Sequence, residues 1–408
     1  MWVSLEARER ELSRRDLLRA FAFGTAATGL AACGLSATPA PSTGASARGS
    51  AAVPSGSVAA ATSSGAPVSL PTPDLSLTIR EKIGQLLVVG FRGQKVPRTS
   101  ALGRAIAVGE LGGVILFDRN IASPAQVQDL CAGLTALAPD GIPLLIAIDQ
   151  EGGRVTRLGP THGFPSVPSE KTVGAHDTAF ATAVYDRMSA TLSDAGINLN
   201  LAPVVDVDVN SANPAIGALG RSFSVDPAVV TAMARASIRA HREHAVLTTL
   251  KHFPGLGSAG GNTDVSVVDV TKTWSEGELQ PFRDLVISGA DCVMVGHAIN
   301  RNLDAKHPAS LSKTIVNGLL RADVGWHGPV ITDDLQAAAI TKRYRRVDAI
   351  AAALNAGVDL LLLGSPSSDP AFYPALVDSI VKLVDAGTVD EARIDEAIAR
   401  VALLRAQI

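Results

Sequence analysis

Aromatic residues are scarce in this 408-residue chain, at 4% of the total, and the formal net charge is only −3. A wide cleft lined with aromatic side chains, of the kind that holds long polysaccharides, does not fit this composition. The balanced charge gives no indication of a nucleic-acid partner, and we predict none. With 47% hydrophobic residues, the chain is long enough for one large domain or two small ones.

Several motifs that mark common active sites are also absent from the sequence. It contains no Gly-x-x-x-x-Gly-Lys-Ser/Thr phosphate loop and no Gly-x-Ser-x-Gly nucleophile elbow. Pairs of the His-x-His or Cys-x-x-Cys type are missing, and His252 and His297 fall on different predicted strands. We therefore predict no metal ion and no cofactor.

Only three cysteines occur, and Cys33 belongs to an N-terminal signal. Cys131 and Cys292 both lie among apolar residues, which predicts two buried free thiols. A disulfide between them is the alternative, but it requires a geometry that a sequence does not reveal.

The first 33 residues resemble an export signal. Arg14 and Arg15 precede an apolar stretch that is too short for a stable membrane span, a pattern typical of a twin-arginine signal peptide. The sequence Leu-Ala-Ala-Cys33 resembles the bacterial lipobox, in which the cysteine is acylated and becomes the mature N-terminus. An uncleaved amphipathic anchor and a chance match are the alternatives. We expect residues 1–33 to be a signal peptide that ends at an acylated Cys33.

The segment after Cys33 is mostly Ala, Ser, Thr, Pro and Gly, and Arg48 is its only charged residue as far as Pro73. This composition cannot bury a core, so residues 34–74 are predicted to be a disordered tether. The folded domain is expected at residues 75–408. The predicted location is the extracytoplasmic face of the cell membrane, reached by twin-arginine export and held there by the lipid anchor.

Eight apolar runs follow, and helical stretches separate most of them. Most runs are continuous rather than alternating, as expected of parallel strands that are covered on both faces. The runs are residues 85–90, 113–117, 144–149, 198–205, 247–252, 291–296, 329–332 and 358–363. The helical stretches are residues 124–137, 175–195, 227–244, 276–288, 313–322, 346–356, 371–386 and 391–406.

This alternation predicts an α/β fold with a single catalytic domain, a (β/α)₈ TIM-type barrel, for which ~250 residues or more is typical. The connection after the first strand stays undefined. A doubly wound open sheet is the alternative, but no Gly-x-Gly-x-x-Gly follows the first strand.

Polar residues follow five neighbouring predicted strands, the third to the seventh, at the ends where such a barrel holds its active site. They are Asp149 with Arg157, Asp206 with Arg221, Lys251 with His252, His297, and Asp333 with Asp334. Carboxylates together with side chains that bind hydroxyl groups suit glycoside hydrolysis, which needs a nucleophile or base and an acid.

Lys251 and His252 end an apolar run, where a cation and an imidazole are costly to bury without partners. A flexible glycine-rich loop follows them and leads to Asp264. A satisfied core pair is the alternative, but the adjacent loop favours contact with a ligand. For His297, a buried core position and a ligand contact are both open.

Four motifs in this order resemble glycoside hydrolase family 3, and specifically its single-domain bacterial β-N-acetylglucosaminidase branch. They are Asp149-Gln-Glu-Gly-Gly-Arg-Val, Gly220-Arg-Ser-Phe-Ser, Lys251-His-Phe-Pro-Gly-Leu-Gly and Ile331-Thr-Asp-Asp-Leu. The resemblance runs from about residue 79 to the C-terminus. It implies that Asp333 is the nucleophile and that the sugar is bound by Asp149, Arg157, Arg221, Lys251 and His252.

The chain departs from this family at the acid/base residue. The branch continues its Lys-His-Phe-Pro-Gly loop with Asp-Ser-His, whose histidine is the acid/base. An ungapped alignment places Asp264 at the histidine position, where it could itself protonate the leaving oxygen. A gapped alignment matches Asp264 to the family aspartate and leaves Ser266 in place of the histidine, so that the acid is missing. The ungapped alignment needs no insertion and is preferred.

The remaining polar residues have structural interpretations. Asp334 precedes a helical stretch and is predicted to be a helix N-cap. Glu151 is expected to be structural, and Asp206 is expected to hold Arg221 rather than bind sugar. Lys251 and Arg221 should lie near the nucleophile and keep it ionised.

The expected function is that of a retaining β-glycosidase that removes terminal N-acetylglucosamine from cell-wall fragments. Its partners would be a carbohydrate, such as an N-acetylglucosamine-containing glycan or muropeptide, and the membrane that the lipid anchor enters. The alternatives are a β-glucosidase or xylosidase and a sugar-binding lipoprotein of the same fold that has lost its acid. A solute-binding lipoprotein has two lobes and does not fit eight strands.

Overall fold

The computed structural model of the protein describes residues 77–408. The predicted signal peptide, the acylated Cys33 and the tether lie outside these residues, so they stay predictions. Within residues 77–408, the helices are either too short or too polar to cross a membrane.

Eight parallel strands form one sheet, and every one of them is buried. In chain order they are β1 (Leu87–Gly90), β2 (Gly113–Leu116), β3 (Leu145–Ile148), β4 (Leu199–Asn200), β5 (Leu247–Phe253), β6 (Cys292–Val295), β7 (Val330–Thr332) and β8 (Leu361–Leu363). Each lies within one residue of a predicted run or inside it. Their spatial order is β7-β6-β5-β4-β3-β2-β1-β8.

The last strand closes the sheet into a barrel. β8 pairs with β1, where Leu361 lies beside Leu87. A parallel bridge between Ile331 and Leu360 joins the same segment to β7, and the Thr332 N–H donates to the Leu360 carbonyl at 3.0 Å. The predicted (β/α)₈ TIM-type barrel is therefore confirmed.

β4 is much shorter than the apolar run that predicted it. The run contains Pro203, which has no N–H to donate to a neighbouring strand. Beyond Asn200, the chain touches β5 as an isolated bridge between Val204 and Lys251. The segment after β4 therefore continues beside β5 through a few separate hydrogen bonds, such as that from the Val205 N–H to the Lys251 carbonyl at 2.8 Å.

The α-helices are Ile79–Gln85, Ala101–Ala107, Pro124–Thr135, Glu170–Gly174, Thr178–Asp194, Pro227–Glu243, Gln280–Val286, Ala338–Thr341, Arg346–Ala356, Phe372–Asp385 and Glu391–Arg405. Ala101–Ala107 fills the connection after β1 that the sequence left undefined. The helix predicted at 175–195 begins later, because the Asp177 side chain caps it by accepting the Phe180 N–H at 2.9 Å. The helix predicted at 313–322 is a π-helix, Thr314–Asp323.

The strands and the inner faces of the helices share one continuous hydrophobic core. Cys131 and Cys292 are both buried and unpaired within it, as predicted. Burial raises the pKa of the Cys131 thiol to about 12, so that thiol stays protonated near neutral pH.

A second, smaller hydrophobic core lies at the C-terminal ends of the strands. Its members come from the loops that follow β4, β5 and β6. They are Val204, Ala215, Ile216, Leu256, Ala259, Val268, Val270 and Ala298. The glycine-rich loop after β5, which we expected to be flexible, is therefore packed against its neighbours.

A buried carboxylate ties the N-terminal end of β8 to its surroundings. Asp359 accepts hydrogen bonds from Arg321 at 2.7 Å, from the Val330 N–H at 3.0 Å and from Arg400 at 3.2 Å. Arg393 donates to the same group. Asp359 thus connects β7, the π-helix and the C-terminal helix Glu391–Arg405, which completes the barrel.

Candidate active site

A cavity of about 330 Å³ opens at the C-terminal ends of the strands. Eight residues were candidates for catalysis or sugar binding, with the role of His297 left open, and seven of them line the cavity, namely Asp149, Arg157, Arg221, Lys251, His252, Asp264 and Asp333. Ile115, Leu256 and Met294 add apolar surface. Across residues 77–408, no group of three or more His, Cys, Asp or Glu side chains is arranged to hold a metal ion.

β5 supplies two successive side chains to this pocket. Residues next to each other in a regular strand point to opposite faces, so Lys251 and His252 would normally diverge. The pairing of β5 with β6 is irregular between Leu250 and Phe253. A bulge of this kind re-aims side chains, and here both Lys251 and His252 reach the pocket.

Four charged side chains form one network in the pocket floor. Glu151 accepts hydrogen bonds from Arg221 through both Nε and Nη2 at 2.7 Å, and it pairs with Lys251 Nζ at 2.7 Å. Lys251 also donates to Asp149 at 2.7 Å. Burial alone would raise the pKa of Glu151, but Arg221 and Lys251 hold it well below its usual range. Glu151 is therefore structural, as predicted, and it fixes the two cations.

Arg157 completes this group on the other side of Asp149. Its Nη2 lies 3.9 Å from the Asp149 carboxylate, and its guanidinium lies 5.6 Å from the centre of the Phe117 ring. Phe117 was not singled out from the sequence, although its position directly after β2 at the barrel mouth could have indicated it.

Asp206 holds His252 and not Arg221. Its carboxylate accepts the His252 Nδ1–H at 2.7 Å, the His252 backbone N–H at 3.2 Å and the Leu256 N–H at 2.7 Å. The prediction that Asp206 holds Arg221 is wrong, because Glu151 and the Ala215 carbonyl occupy that guanidinium. With Nδ1 engaged by a carboxylate, the imidazole orientation is fixed.

Asp333 lies directly after β7, and its backbone N–H donates to the Val295 carbonyl at 3.0 Å. Its carboxylate accepts the Asp334 N–H at 2.8 Å. Burial acts to raise the pKa of Asp333, but the imidazoles of His297 and His252 act more strongly together with that hydrogen bond and Lys251, so the pKa is lowered. The two histidines do most to keep Asp333 ionised, and of the two cations predicted for this role, Lys251 contributes.

Asp264 belongs to the loop after β5 and lines the same cavity as Asp333. Its backbone N–H donates to the Asn262 side chain at 2.8 Å, and its carbonyl accepts the Ala338 N–H at 3.0 Å. Burial and then the negative charge of Asp333 raise the pKa of the Asp264 carboxyl. Asp264 can therefore hold a proton more readily than an ordinary aspartate.

Ser266, the residue that the gapped alignment places at the acid position, points elsewhere. Its hydroxyl donates to the Asn262 carbonyl at 3.0 Å, and it is not among the residues that line the cavity. The geometry favours the ungapped alignment.

His297 takes one of the two positions that the sequence left open, and Asp334 differs from its predicted role. His297 is 1% exposed, and its ring nitrogens contact the Ser310 hydroxyl at 2.7 Å and the Asp334 carbonyl at 2.9 Å. It is a core histidine beneath the pocket and is not among the residues that line the cavity, which favours the core position over the ligand contact. Asp334 accepts the Gln336 N–H at 2.9 Å in a turn. It is not the predicted helix N-cap, because the next helix starts only at Ala338.

Two further buried acids support the site, and neither was indicated by a motif in the sequence. Glu170 accepts the Val204 N–H at 2.9 Å. Burial and the nearby Glu151 raise its pKa well above the ordinary value, so Glu170 holds a proton more readily than an ordinary glutamate. Glu278 accepts the Ser258 N–H at 3.2 Å, under the loop that carries Asp264.

The closed barrel and the carboxylate-lined pocket at its C-terminal end define a barrel of the glycosidase type. Residues 78–404 match the family described as the glycosyl hydrolase family 3 N terminal domain. The chain therefore belongs to glycoside hydrolase family 3.

Relatives of the chain are similar along most of its folded part. A beta-hexosaminidase A of Pseudoalteromonas piscicida is 31% identical over 371 residues, which cover 81% of this chain and 62% of the relative. A beta-hexosaminidase of Xylella fastidiosa is 38% identical over 266 residues, which cover 63% of this chain and 77% of the relative. The chain thus spans less than two thirds of the first of these proteins.

Among solved structures, the beta-N-acetylhexosaminidase from Beutenbergia cavernae is 35% identical, with a TM-score of 0.74. The similarity covers 81% of this chain and 98% of that structure. That solved protein therefore consists almost entirely of the part that this chain shares.

Proposed function

We propose that the protein is a retaining β-N-acetylhexosaminidase with Asp333 as nucleophile and Asp264 as acid/base. The observation that carries the proposal is the placement of two aspartates in one pocket with pKa values shifted in opposite directions, Asp333 down and Asp264 up. A retaining glycosidase needs one ionised carboxylate and one protonated carboxyl group that flank the scissile bond. The names of the similar proteins support the hexosaminidase assignment.

The reaction would proceed in two displacements. In the first, an Asp333 oxygen forms a bond to the anomeric carbon while the bond to the leaving oxygen breaks, and that oxygen takes the Asp264 proton. In the second, the ionised Asp264 takes a proton from water, the water oxygen bonds to the anomeric carbon, and the bond to Asp333 breaks. Asp264 regains its proton and Asp333 its charge.

The charged network in the pocket floor would hold the sugar during both displacements. Asp149 can accept a sugar hydroxyl, and Lys251 has a third ammonium hydrogen beyond the two that Asp149 and Glu151 accept. His252 can present Nε2, because Asp206 occupies Nδ1. Arg157 and Arg221 line the same cavity. These groups would fix the ring while the anomeric carbon moves.

We further propose that the substrate is a cell-wall fragment and that the protein is anchored outside the cytoplasm through Cys33. The twin-arginine pattern, the lipobox-like Leu-Ala-Ala-Cys33 and the uncharged tether composition support this location. A Cys33→Ala variant that remains in the membrane fraction and still carries acyl groups would contradict the anchor.

Turnover of aryl glycosides tests the proposed function directly. The wild-type protein should release the aryl group from a β-N-acetylglucosaminide faster than from a β-glucoside or a β-xyloside. An Asp333→Ala variant should lose turnover by about 10⁴-fold or more, because its nucleophile is gone. The exposed Asp385→Ala serves as a control that should keep full activity. N-acetylglucosamine binding without any turnover would instead indicate the sugar-binding alternative.

A further inference from the structure

Glu278 is a buried acid that neither the nucleophile nor the sugar site accounts for. It is 1% exposed and belongs to the short 3₁₀-helix Glu276–Leu279. Its Oε2 accepts the Ser258 backbone N–H at 3.2 Å. Its Cβ lies 2.6 Å from where a Cβ on Gly255 would lie, and Gly255 has a φ of +119° that favours glycine. Glu278 therefore fills the space directly beneath the loop after β5.

This loop is also held from its other side. Asp206 accepts the Leu256 N–H at 2.7 Å, and the Asn213 side chain donates to the Leu256 carbonyl at 2.7 Å. Trp274 Nε1 donates to the Pro254 carbonyl at 3.0 Å. Glu278 adds one more contact, because it accepts the Ser258 N–H. Of the loop residues held by these hydrogen bonds, namely Pro254, Leu256 and Ser258, Ser258 is the nearest in the chain to Asp264.

A carboxyl group is an unfavourable choice for this position if stability alone matters. Burial raises the pKa of Glu278 to about 7, and the negative charge of Asp206 acts in the same direction, whereas hydrogen bonds from Ser258 and Gly257 lower it. An uncharged side chain would avoid the desolvation of a carboxylate. What the glutamate provides is an acceptor of the right length to fix a backbone N–H in the loop.

We propose that Glu278 is a positioning residue for proton transfer, which holds the loop after β5 so that the Asp264 carboxyl group stays opposite Asp333. The inference rests on the proposed function, in which Asp264 is the acid/base. It places the role of Glu278 in the acid/base step and not in nucleophilic attack or sugar binding.

The role predicts a dependence on the leaving group. A Glu278→Ala variant loses the acceptor for Ser258, so Asp264 is misplaced, and kcat/KM on a substrate with a poor leaving group should fall about 10–100-fold. On a substrate with an activated aryl leaving group, which needs little protonation, the loss should stay within about 3-fold. Glu278→Gln keeps an oxygen acceptor and should restore the poor-leaving-group rate to within about 3-fold of wild type.

The matched control is Glu276→Gln, because Glu276 lies on the same 3₁₀-helix but is exposed. It should leave both rates unchanged. If Glu278→Ala does not fold, Glu278→Asp replaces it, since the shorter acid withdraws the acceptor from Ser258 and should show the same selective loss. Retained activity of Glu278→Ala on the activated substrate separates this inference from the proposed function, because the wild type would turn over neither substrate if the protein were not a glycosidase.

Three results would overturn the inference. Equal losses on both substrates would assign Glu278 to the fold or to sugar binding. A Glu278→Ala variant with a lower melting temperature but wild-type kinetics would make it structural only. A Glu278→Gln variant as impaired as Glu278→Ala would show that the hydrogen bond to Ser258 is not what matters.

Discussion

Asp264 and Asp333 share one pocket, but their carboxyl groups have opposite pKa shifts. Burial and the charge of Asp333 raise the pKa of Asp264. His297, His252 and Lys251 overcome burial and lower the pKa of Asp333. Between the two pKa values, Asp333 is ionised while Asp264 still carries its proton, which is the combination that a retaining glycosidase uses. At the scale of single residues, this separation would allow the proposed site to act without the family histidine.

The two shifts predict a bell-shaped pH dependence of kcat/KM. The rate should fall on the acid side as Asp333 becomes protonated, and on the alkaline side as Asp264 loses its proton. An Asp264→Asn variant should lose the alkaline limb. Its kcat/KM should fall by about 10²–10⁴-fold on a poor leaving group and far less on an activated aryl glycoside.

The Ser266→Ala variant is the control for this prediction, because Ser266 is the residue that the gapped alignment places at the acid position. Its pH profile should match the wild type. An unchanged alkaline limb in Asp264→Asn would rule out Asp264 as the proton donor.

The sequence identified several residues of the pocket, but it did not show which side chains they contact. The motifs placed Asp149, Lys251 and Asp333 at strand ends, and the structure brings them to one pocket. Asp206 was paired with the wrong residue, because its partner depends on how the loop after β5 folds back over it. The support from Glu278 had no sequence signal, since a glutamate on a short helix is normally solvated.

At the scale of elements, the loop after β5 depends on close contact with the segment after β4. Gly257 lies against that segment, and a Cβ added to it would lie 1.6 Å from the Val207 carbonyl oxygen. The Asn210 N–H also donates to the Gly257 carbonyl at 3.2 Å. The two loops therefore share a small core and are packed directly against each other.

We expect a Gly257→Ala substitution to displace the loop that carries Asp264. Because a misplacement of about 1 Å can cost 10²-fold in rate, kcat/KM should fall by about 10²-fold. Gly260 is in the same loop, and an added Cβ there meets no atom within 4 Å. Gly260→Ala should therefore retain nearly full activity in the same assay. Equal rates for the two variants would show that the contact with Val207 does not set the loop position.

The strands were the elements that the sequence predicted best. Buried parallel strands appear in a sequence as continuous apolar runs, and each of the eight predicted runs corresponds to a strand in the structure. The error in the length of β4 has a local cause, since Pro203 ends the pairing inside an apolar run. The ends of the helices were predicted less well than the strands. Several polar residues near a helix end can serve as its N-cap, and the sequence does not show which of them does so, as with Asp177 before the helix Thr178–Asp194.

At the scale of the whole molecule, the barrel is closed by β8 and held at its N-terminal end by Asp359. Three arginines, Arg321, Arg393 and Arg400, converge on that one carboxylate. Asp359 is fully buried. Removal of the acid would leave Arg321 without an acidic partner and Arg393 and Arg400 with Glu396 alone, which is costly because the desolvation of these cations is no longer fully compensated.

An Asp359→Ala variant should therefore lose about 3–5 kcal/mol of unfolding free energy, which corresponds to a melting temperature lower by roughly 5–10 °C. The measurement is thermal unfolding followed by circular dichroism. The exposed Asp385→Ala should melt within about 1 °C of wild type, since surface substitutions are usually within ±0.5 kcal/mol. A wild-type melting temperature for Asp359→Ala would show that the cluster does not hold the C-terminal helix.

The central claim is that Asp333 forms a covalent bond to the sugar. A fluorinated N-acetylglucosaminyl fluoride that reacts quickly but is hydrolysed slowly should trap this intermediate, and mass spectrometry of the digested protein locates it. We predict one glycosyl adduct, on the peptide that contains Asp333, and none on Asp333→Ala. An adduct on another residue, or turnover of the substrate with no adduct at all, would contradict the account.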